Sequence, residues 1–319
     1  MSIGPISTRQ ASSGCSRPSR CVTDALAVSG RVNLSNPGDP APESPANRRR
    51  TWSDLGPRFI SAMVLIALTA TTLYIGGYVF AVVVGVVFAL AYREWETMVS
   101  RAPLTPAGMV LIALVAVSGA IYPAFGPLGT IAVIAVACVV AIFMRGEGVL
   151  WRVLGLIIYG AIIIAVIAMR GDTITGVWAG VYLGTVVWMT DSAAFFAGRQ
   201  IGGEKLAPDI SPSKTWSGAL GGLALGTGAG LVVWIVATDS PWWIGLVLSA
   251  TISVLGQLGD LSESAIKRHF RIKDSGDIIP GHGGLMDRLD SLTFGVLLVL
   301  LVGALHAGYG SVAEGLLYW

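Results

Sequence analysis

Long runs of apolar residues alternate with short polar segments along most of this chain. A membrane-spanning helix needs about 17–25 mostly apolar residues. The pattern predicts about nine such helices, the first two joined by a tight Gly76-Gly77 turn. The predicted spans are Arg58–Ile75, Tyr78–Tyr92, Ala107–Tyr122, Leu128–Met144, Val153–Met169, Ile174–Met189, Gly218–Val236, Trp242–Leu258 and Leu292–His306. We therefore predict an all-α integral membrane protein.

The composition supports a membrane environment over an aqueous one. Of the 319 residues, 54% are hydrophobic and only 13% are charged, whereas soluble domains carry about 25% charged residues. The formal net charge is only +2, so charge gives no reason to expect a nucleic-acid partner. The three cysteines have neither the spacing of metal ligands nor that of a disulfide framework.

The distribution of basic residues predicts the orientation. Residues 1–52 are rich in Ser, Pro, Arg and Gly and lack the apolar core of a signal peptide, so we predict a disordered cytoplasmic extension. With this end inside and nine crossings, thirteen of the fourteen later Lys and Arg residues lie on the cytoplasmic side, and only Arg170 lies outside. This matches the positive-inside rule. We divide the rest into N-terminal membrane helices (53–170) and a C-terminal catalytic membrane region (171–319).

Four glycines recur at every fourth position of the seventh predicted span, at positions 218, 222, 226 and 230. Small residues at this spacing allow two helix backbones to approach closely. We predict that they pack inside the bundle, because no strand precedes them as a nucleotide-binding glycine loop would require.

Most charged residues collect in two cytoplasmic stretches, and the longer one runs from Asp260 to Asp290. If the preceding helix continues past its span, one face carries Asp260, Ser264, Lys267 and Arg271. Pro280 would end any helix. Beyond it, Asp287 and Asp290 can share a helix face at the start of the last span.

Separated carboxylates beside five cations predict a divalent metal bound together with phosphates. Mg²⁺ typically takes one or two carboxylates and completes its shell with substrate oxygens, and phosphoryl transfer needs positioning and charge neutralisation. A charged loop with only topological and ion-pair roles is the alternative, followed by an ion pathway. His282, between glycines, either bonds a phosphate or caps the loop.

The other stretch runs from Asp191 to Lys214. Ser213, Lys214 and Thr215 stand at the start of the glycine-rich helix, and helix N-termini favour anions. A phosphate site and plain helix capping both remain open here. Asp191 is either a metal or ribose contact or an ordinary interfacial acid.

The run S-A-I-K-R-x4-K-D-S-G-D-I-I-P-G-H-G-G-L-M-D-R-L-D, from Ser264 to Asp290, resembles the phosphatidate cytidylyltransferase signature without a gap. The resemblance extends to Asp191-Ser192, Gly198-Arg199, the 205–214 loop and Gly259-Asp260, and loosely to Glu94-Trp95. It implies an enzyme that joins CTP and phosphatidate to give CDP-diacylglycerol and pyrophosphate. Mg²⁺ dependence, nine membrane helices and a homodimer are also implied.

The resemblance also places roles on this sequence. It implies Asp260 and Asp287 as metal ligands, at an active site on the cytoplasmic face of the cell membrane. The catalytic set is then Asp260, Lys267, Arg268, Lys273, Asp287 and Arg288. The substrate-binding set that we predict is Ser211, Lys214, Thr215, Ser264, His282, Gly283, Gly284, Asp191 and Asp290.

One departure from the family pattern lies after the S-P-x-K-T element, where Ser217 replaces the usual glutamate. Any role of that acid cannot be carried over. The competing functions are a transporter or channel, which would bury ionisable residues at mid-membrane, and a CTP-dependent polyprenol or lipid kinase.

Overall fold

The computed structural model of the chain describes residues 55–144, 148–276 and 284–319. In these residues nearly all regular structure is helical, which confirms the all-α prediction. The helices are α1 (Leu55–Ile75), α2 (Gly77–Ser100), α3 (Pro106–Ala120), α4 (Tyr122–Phe143), α5 (Val149–Arg170), α6 (Ile174–Gln200), α7 (Trp216–Ala237), α8 (Trp242–His269), α9 (Met286–Ala307) and the short α10 (Val312–Leu317). The predicted extension 1–52 lies outside the described residues.

Six of these helices are long and apolar enough to cross a membrane: α2, α4, α5, α7, α8 and α9. The apolar part of α1 and the whole of α3 are shorter. The chain is therefore a multi-pass membrane protein, while the count of nine crossings stays a prediction. The division of the membrane region at residue 170 also stays a prediction.

The buried core lies among α2, α5, α6, α8 and α9. Each contributes a side chain with no exposed surface: Tyr92, Ile163, Tyr182, Ile252 and Val296. The apolar windows of α4, α7 and α9 are only 22%, 28% and 28% buried inside the protein. Their remaining apolar surface suits contact with lipid.

Glycines shape two connections early in the chain. Gly76 and Gly77 both have positive φ values, 68° and 53°, which side-chain-bearing residues rarely adopt, and the predicted tight turn between α1 and α2 is confirmed. Inside α4, Gly126 leaves helical geometry with a φ of 61°, directly before Pro127. The helix is kinked at this point, and the predicted span that begins at Leu128 corresponds to the part of α4 after the kink.

The glycine stripe of α7 packs against α6, as predicted. A Cβ added to Gly218 would lie 2.8 Å from the carbonyl oxygen of Ala194, and one added to Gly222 would lie 2.8 Å from that of Thr190. At Gly226 a Cβ would collide with the Thr190 hydroxyl. The close approach that only glycine allows fixes the C-terminal half of α6 against the start of α7.

Arg170, the basic residue predicted on the outer side, is buried at the end of α5 with 5% of its surface exposed. Its guanidinium donates to the carbonyl oxygens of Leu73 (2.5 Å), Tyr74 (3.1 Å), Gly171 (3.1 Å) and Thr173 (3.1 Å). These bonds satisfy carbonyls at the end of α1 that have no partner within the helix, so Arg170 holds α1 to α5.

A two-stranded antiparallel sheet joins α6 to α7 and was not predicted. Strand β1 (Lys205–Ala207) pairs with β2 (Ser211–Thr215), with Lys205 opposite Thr215. Helix α8 does continue past its apolar part, but it ends at His269. The prediction that Arg271 shares its face is wrong, because Arg271 has a φ of 60° and stands beyond the helix.

Candidate active site

A cavity of about 510 Å³ opens among α6, α7, α8, α9 and the small sheet. Both polar stretches of the sequence contribute to it, although almost 50 residues separate them. Its lining consists of Asp191, Ala194, Phe195, Gly198, Arg199, Leu206, Ser213, Lys214, Thr215, Gly218, Ala219, Gln257, Asp260, Lys267, Asp287, Arg288, Asp290 and Ser291. Acids, cations and hydroxyls therefore face one space.

Small residues bring the acidic parts of α8 and α9 together. A Cβ on Gly259 would come 2.5 Å from the carbonyl oxygen of Asp290, and one on Gly256 would come 3.3 Å from that of Ser291. Glycine at both positions lets the two backbones approach closely. Asp260, next to Gly259, is thereby placed on the same cavity as the first turns of α9.

On the sheet side, Lys214 forms an ion pair with Asp260. Its Nζ lies 2.5 Å from Asp260 Oδ2, and both side chains are partly exposed. The next residue, Thr215, is the N-cap of α7, and its Oγ1 accepts from the N–H of Gly218 at 3.1 Å. The capping account is thus confirmed for Thr215, whereas the Lys214 ammonium faces the cavity.

Opposite this pair, Lys267 of α8 joins two carboxylates. Its Nζ donates to Asp287 Oδ1 at 2.8 Å and lies 3.1 Å from Glu263 Oε1. The Glu263 side chain is only 8% exposed, and a buried carboxylate requires a compensating charge. Lys267 therefore contacts a buried acid and at the same time borders the cavity.

A third polar contact joins α6 to α9. Ser291 Oγ donates to Asp191 Oδ1 at 3.2 Å, and the Ser291 N–H donates to Asp290 Oδ1 at 2.7 Å. Asp191 lies in α6, which runs on to Gln200, rather than in a loop. This places Asp191 beside the other acids and favours a site role over that of an isolated interfacial acid.

The structure separates the predicted site residues into two groups. Eight line the cavity: Asp191, Lys214, Thr215, Asp260, Lys267, Asp287, Arg288 and Asp290. The others within the described residues, Ser211, Ser264, Arg268, Lys273 and Gly284, do not line it. His282 and Gly283 lie outside the described residues.

Two residues of this second group have structural contacts. Arg268 donates to the carbonyl oxygens of Ile210 at 3.2 Å and Ile272 at 3.1 Å, which ties the sheet to the segment after α8. Ser211 is buried in β2. Their predicted functional roles stay predictions.

Sequence reasoning missed three polar residues of this region: Gln257, Glu263 and Ser291. Glu263 stands four residues before Lys267, the spacing of an ion pair along one helix face, so the sequence did contain a signal for it. Gln257 Nε2 donates to the carbonyl oxygen of Ala219 at 3.3 Å and holds α8 to α7. Ser291 had no comparable signal.

Ser217, which stands in place of the family's glutamate, has a structural contact. Its hydroxyl donates to the carbonyl oxygen of Gly202 and lies 3.0 Å from Thr215 Oγ1. It thus ties the segment after α6 to the start of α7.

Two carboxylates of the cavity, Asp260 and Asp287, are of the type that could hold a hard cation. Within residues 55–144, 148–276 and 284–319, no group of three or more His, Cys, Asp and Glu side chains is arranged to hold a metal. A Mg²⁺ site completed by substrate phosphates needs only one or two carboxylates. Asp260 contacts the Lys214 ammonium, and Asp287 contacts the Lys267 ammonium, on the same cavity. Each carboxylate therefore already lies beside a positive charge.

Apolar helices that end in a cavity of lysines, arginines and carboxylates define a membrane enzyme that handles phosphate groups. The sequence profile of the cytidylyltransferase family matches residues 57–306. The chain therefore belongs to the cytidylyltransferase family.

Individual relatives agree with this assignment. The phosphatidate cytidylyltransferase of Brucella suis is 37% identical over 260 residues, which cover 80% of this chain and 95% of the relative. That of Brucella abortus is 36% identical over 260 residues, which also cover 80% of this chain and 95% of the relative. That of Bacillus subtilis is 47% identical over 114 residues, which are 35% of this chain and 42% of the relative.

Proposed function

We propose that this protein converts CTP and phosphatidate to CDP-diacylglycerol and pyrophosphate in phospholipid biosynthesis. Family membership supports this activity, as do relatives named phosphatidate cytidylyltransferase over almost their whole length. The observation that carries the proposal is the pair of lysine–aspartate contacts, Lys214–Asp260 and Lys267–Asp287, on one cavity.

The reaction joins two polyanions, so the site must offset negative charge. An oxygen of the phosphatidate phosphate attacks the α-phosphorus of CTP, and the bond to the bridging oxygen of the β-phosphate breaks as pyrophosphate leaves. The attacking phosphate is already an anion and requires no general base. Lys214, Lys267 and Arg288 of the cavity would stabilise charge on the attacking and leaving groups.

Mg²⁺ is part of this proposal, with Asp260 and Asp287 as its protein ligands. When bound, it supplies positive charge to phosphate oxygens at the reacting centre. Lys214 and Lys267, which lie beside these carboxylates on the cavity, would meet the substrate phosphates. Asp191 and Asp290, joined through Ser291, border the same space and would help to orient the nucleotide.

We further propose that the cavity faces the cytoplasm and that the lipid enters sideways from the inner leaflet. The excess of basic residues on the predicted cytoplasmic side supports this orientation. Phe195 lines the cavity and is 60% exposed, which gives the polar site an apolar edge for acyl chains. A cell-membrane location and a homodimer complete the proposal, and bacterial relatives support the location.

Turnover by purified protein tests the proposed activity. Phosphatidate and Mg²⁺ are supplied with each nucleoside triphosphate in turn, and lipid products and pyrophosphate are measured. We expect a liponucleotide with CTP and an equal amount of pyrophosphate. Phosphorylation of a polyprenol would instead indicate a lipid kinase, and solute flux across proteoliposomes without any product would indicate a transporter.

A further inference from the structure

Glu94, near the end of α2, makes contacts that its place in the sequence does not suggest. The residue is 2% exposed. Its carboxylate accepts from the N–H of Leu285 at 2.9 Å, the N–H of Met286 at 2.9 Å and the hydroxyl of Ser275 at 3.0 Å. These donors stand 181 to 192 positions further along the chain.

The donors lie on both sides of residues 277–283 within the family signature. Ser275 precedes this segment, and Leu285 and Met286 follow it. Glycines make room for the carboxylate: a Cβ on Gly276 would lie 2.9 Å from Glu94 Oε1, and one on Gly284 would lie 2.8 Å from Oε2. Several residues of the signature thus either donate to the Glu94 carboxylate or leave space for it, although Glu94 lies on a helix far away in the sequence.

The Leu285 and Met286 amides are the first of α9 and have no acceptor within that helix. A carboxylate placed there satisfies them and complements the positive end of the helix dipole. The next residue is Asp287, and the first turns of α9 carry Asp287 and Asp290 to the cavity. Glu94 itself does not line the cavity, so it acts on the start of α9 and not on substrate.

The end of α2 is itself firmly held. The indole N–H of Trp95 donates to the carbonyl oxygen of Trp151 at 2.9 Å. Glu96, also 2% exposed, pairs with Arg152 at 2.9 Å. The Trp95–Trp151 bond therefore fixes to α5 the turn from which Glu94 extends, independently of the Glu96–Arg152 pair.

We propose that Glu94 is a positioning residue for the cytidylyltransferase reaction. It fixes the first turn of α9, and through it the place of Asp287 opposite Asp260 and beside Lys267. The reaction assignment rests on the proposed function, but the contact of Glu94 with α9 does not.

Glu94→Gln keeps the shape of the side chain, but one terminal atom then donates instead of accepting and cannot serve all three donors. We expect kcat per folded molecule to fall by about 100-fold, as small misplacements of reacting groups do, with the KM for CTP changed less than about threefold. Amide hydrogen exchange at Leu285 and Met286 should become at least about tenfold faster.

Glu96→Gln is the matched control, because it removes an equally buried carboxylate two residues away that does not contact α9. We expect it to lower thermal stability and leave both the kcat of the folded fraction and exchange at Leu285 and Met286 unchanged. Equal loss of kcat in the two variants, or wild-type kcat in Glu94→Gln, would overturn the proposal.

Ser275→Ala provides a second test should Glu94→Gln fail to fold. It removes one of the donors that hold the Glu94 carboxylate against the start of α9, so the first turn of α9 should be less well fixed and kcat should fall by about five- to tenfold at an unchanged KM. Wild-type kcat in this variant would then contradict the positioning role. If the wild-type protein forms no liponucleotide, the proposed function fails, while the exchange rates at the two amides still test the contact.

Discussion

The prediction with the most direct structural basis concerns Lys267, whose ammonium serves both Glu263 and Asp287. Lys267→Met keeps the length of the side chain but removes its charge. The Glu263 and Asp287 side chains are only 8% and 19% exposed, so water replaces the lost ammonium poorly. Removing one partner from a buried ion pair costs about 3–5 kcal/mol, which corresponds to a fall in Tm of about 10 °C for a chain of this size.

A double-mutant cycle isolates the cause. Adding Glu263→Gln to Lys267→Met removes the buried carboxylate that the first change leaves unpaired, and about half of the lost stability should return. Turnover should not return, because the cavity still lacks the Lys267 charge. Tryptophan fluorescence during heating in detergent measures Tm, with Lys205→Met, an exposed lysine on β1, as control. A double variant no more stable than Lys267→Met would refute the reasoning.

Three further predictions follow from the site and its packing. Asp260→Asn and Asp287→Asn should each lower kcat at least about 100-fold without loss of membrane insertion, and wild-type rates in both would remove their assigned role. Lys214→Ala should raise the KM for CTP about tenfold through loss of a charged contact, whereas Lys205→Ala should not; unchanged kinetics would leave Lys214 with only a structural role. Gly226→Val should destabilise the fold by about 1–3 kcal/mol through overpacking against α6 and so lower Tm, and an unchanged Tm would show that α6 and α7 can separate without cost.

The helices could be predicted from the sequence because membrane spans have a simple physical requirement, a long apolar stretch. Where the helices end was harder. Helices α6 and α8 continue past their apolar parts to Gln200 and His269, since helical hydrogen bonding persists into polar sequence. The strands Lys205–Ala207 and Ser211–Thr215 are too short to leave a periodic signal.

The candidate site was predictable to the extent that its residues form local patterns. Lys214, Asp260 and Asp287 stood in polar stretches between apolar spans, and the structure brings all three to one cavity. Glu94 could not be found in this way, because its partners lie in another part of the chain and only tertiary packing joins them. The resemblance of Glu94-Trp95 to a family motif pointed to the position but not to its contacts.

Metal binding tests the central claim most directly, since the account requires Asp260 and Asp287 to hold one cation together with the nucleotide. Mn²⁺ can replace Mg²⁺ and be followed by electron paramagnetic resonance in purified protein with a non-hydrolysable CTP analogue. We expect one tight nucleotide-dependent Mn²⁺ in the wild type and its loss in both Asp260→Asn and Asp287→Asn. Wild-type Mn²⁺ binding in either variant would contradict it.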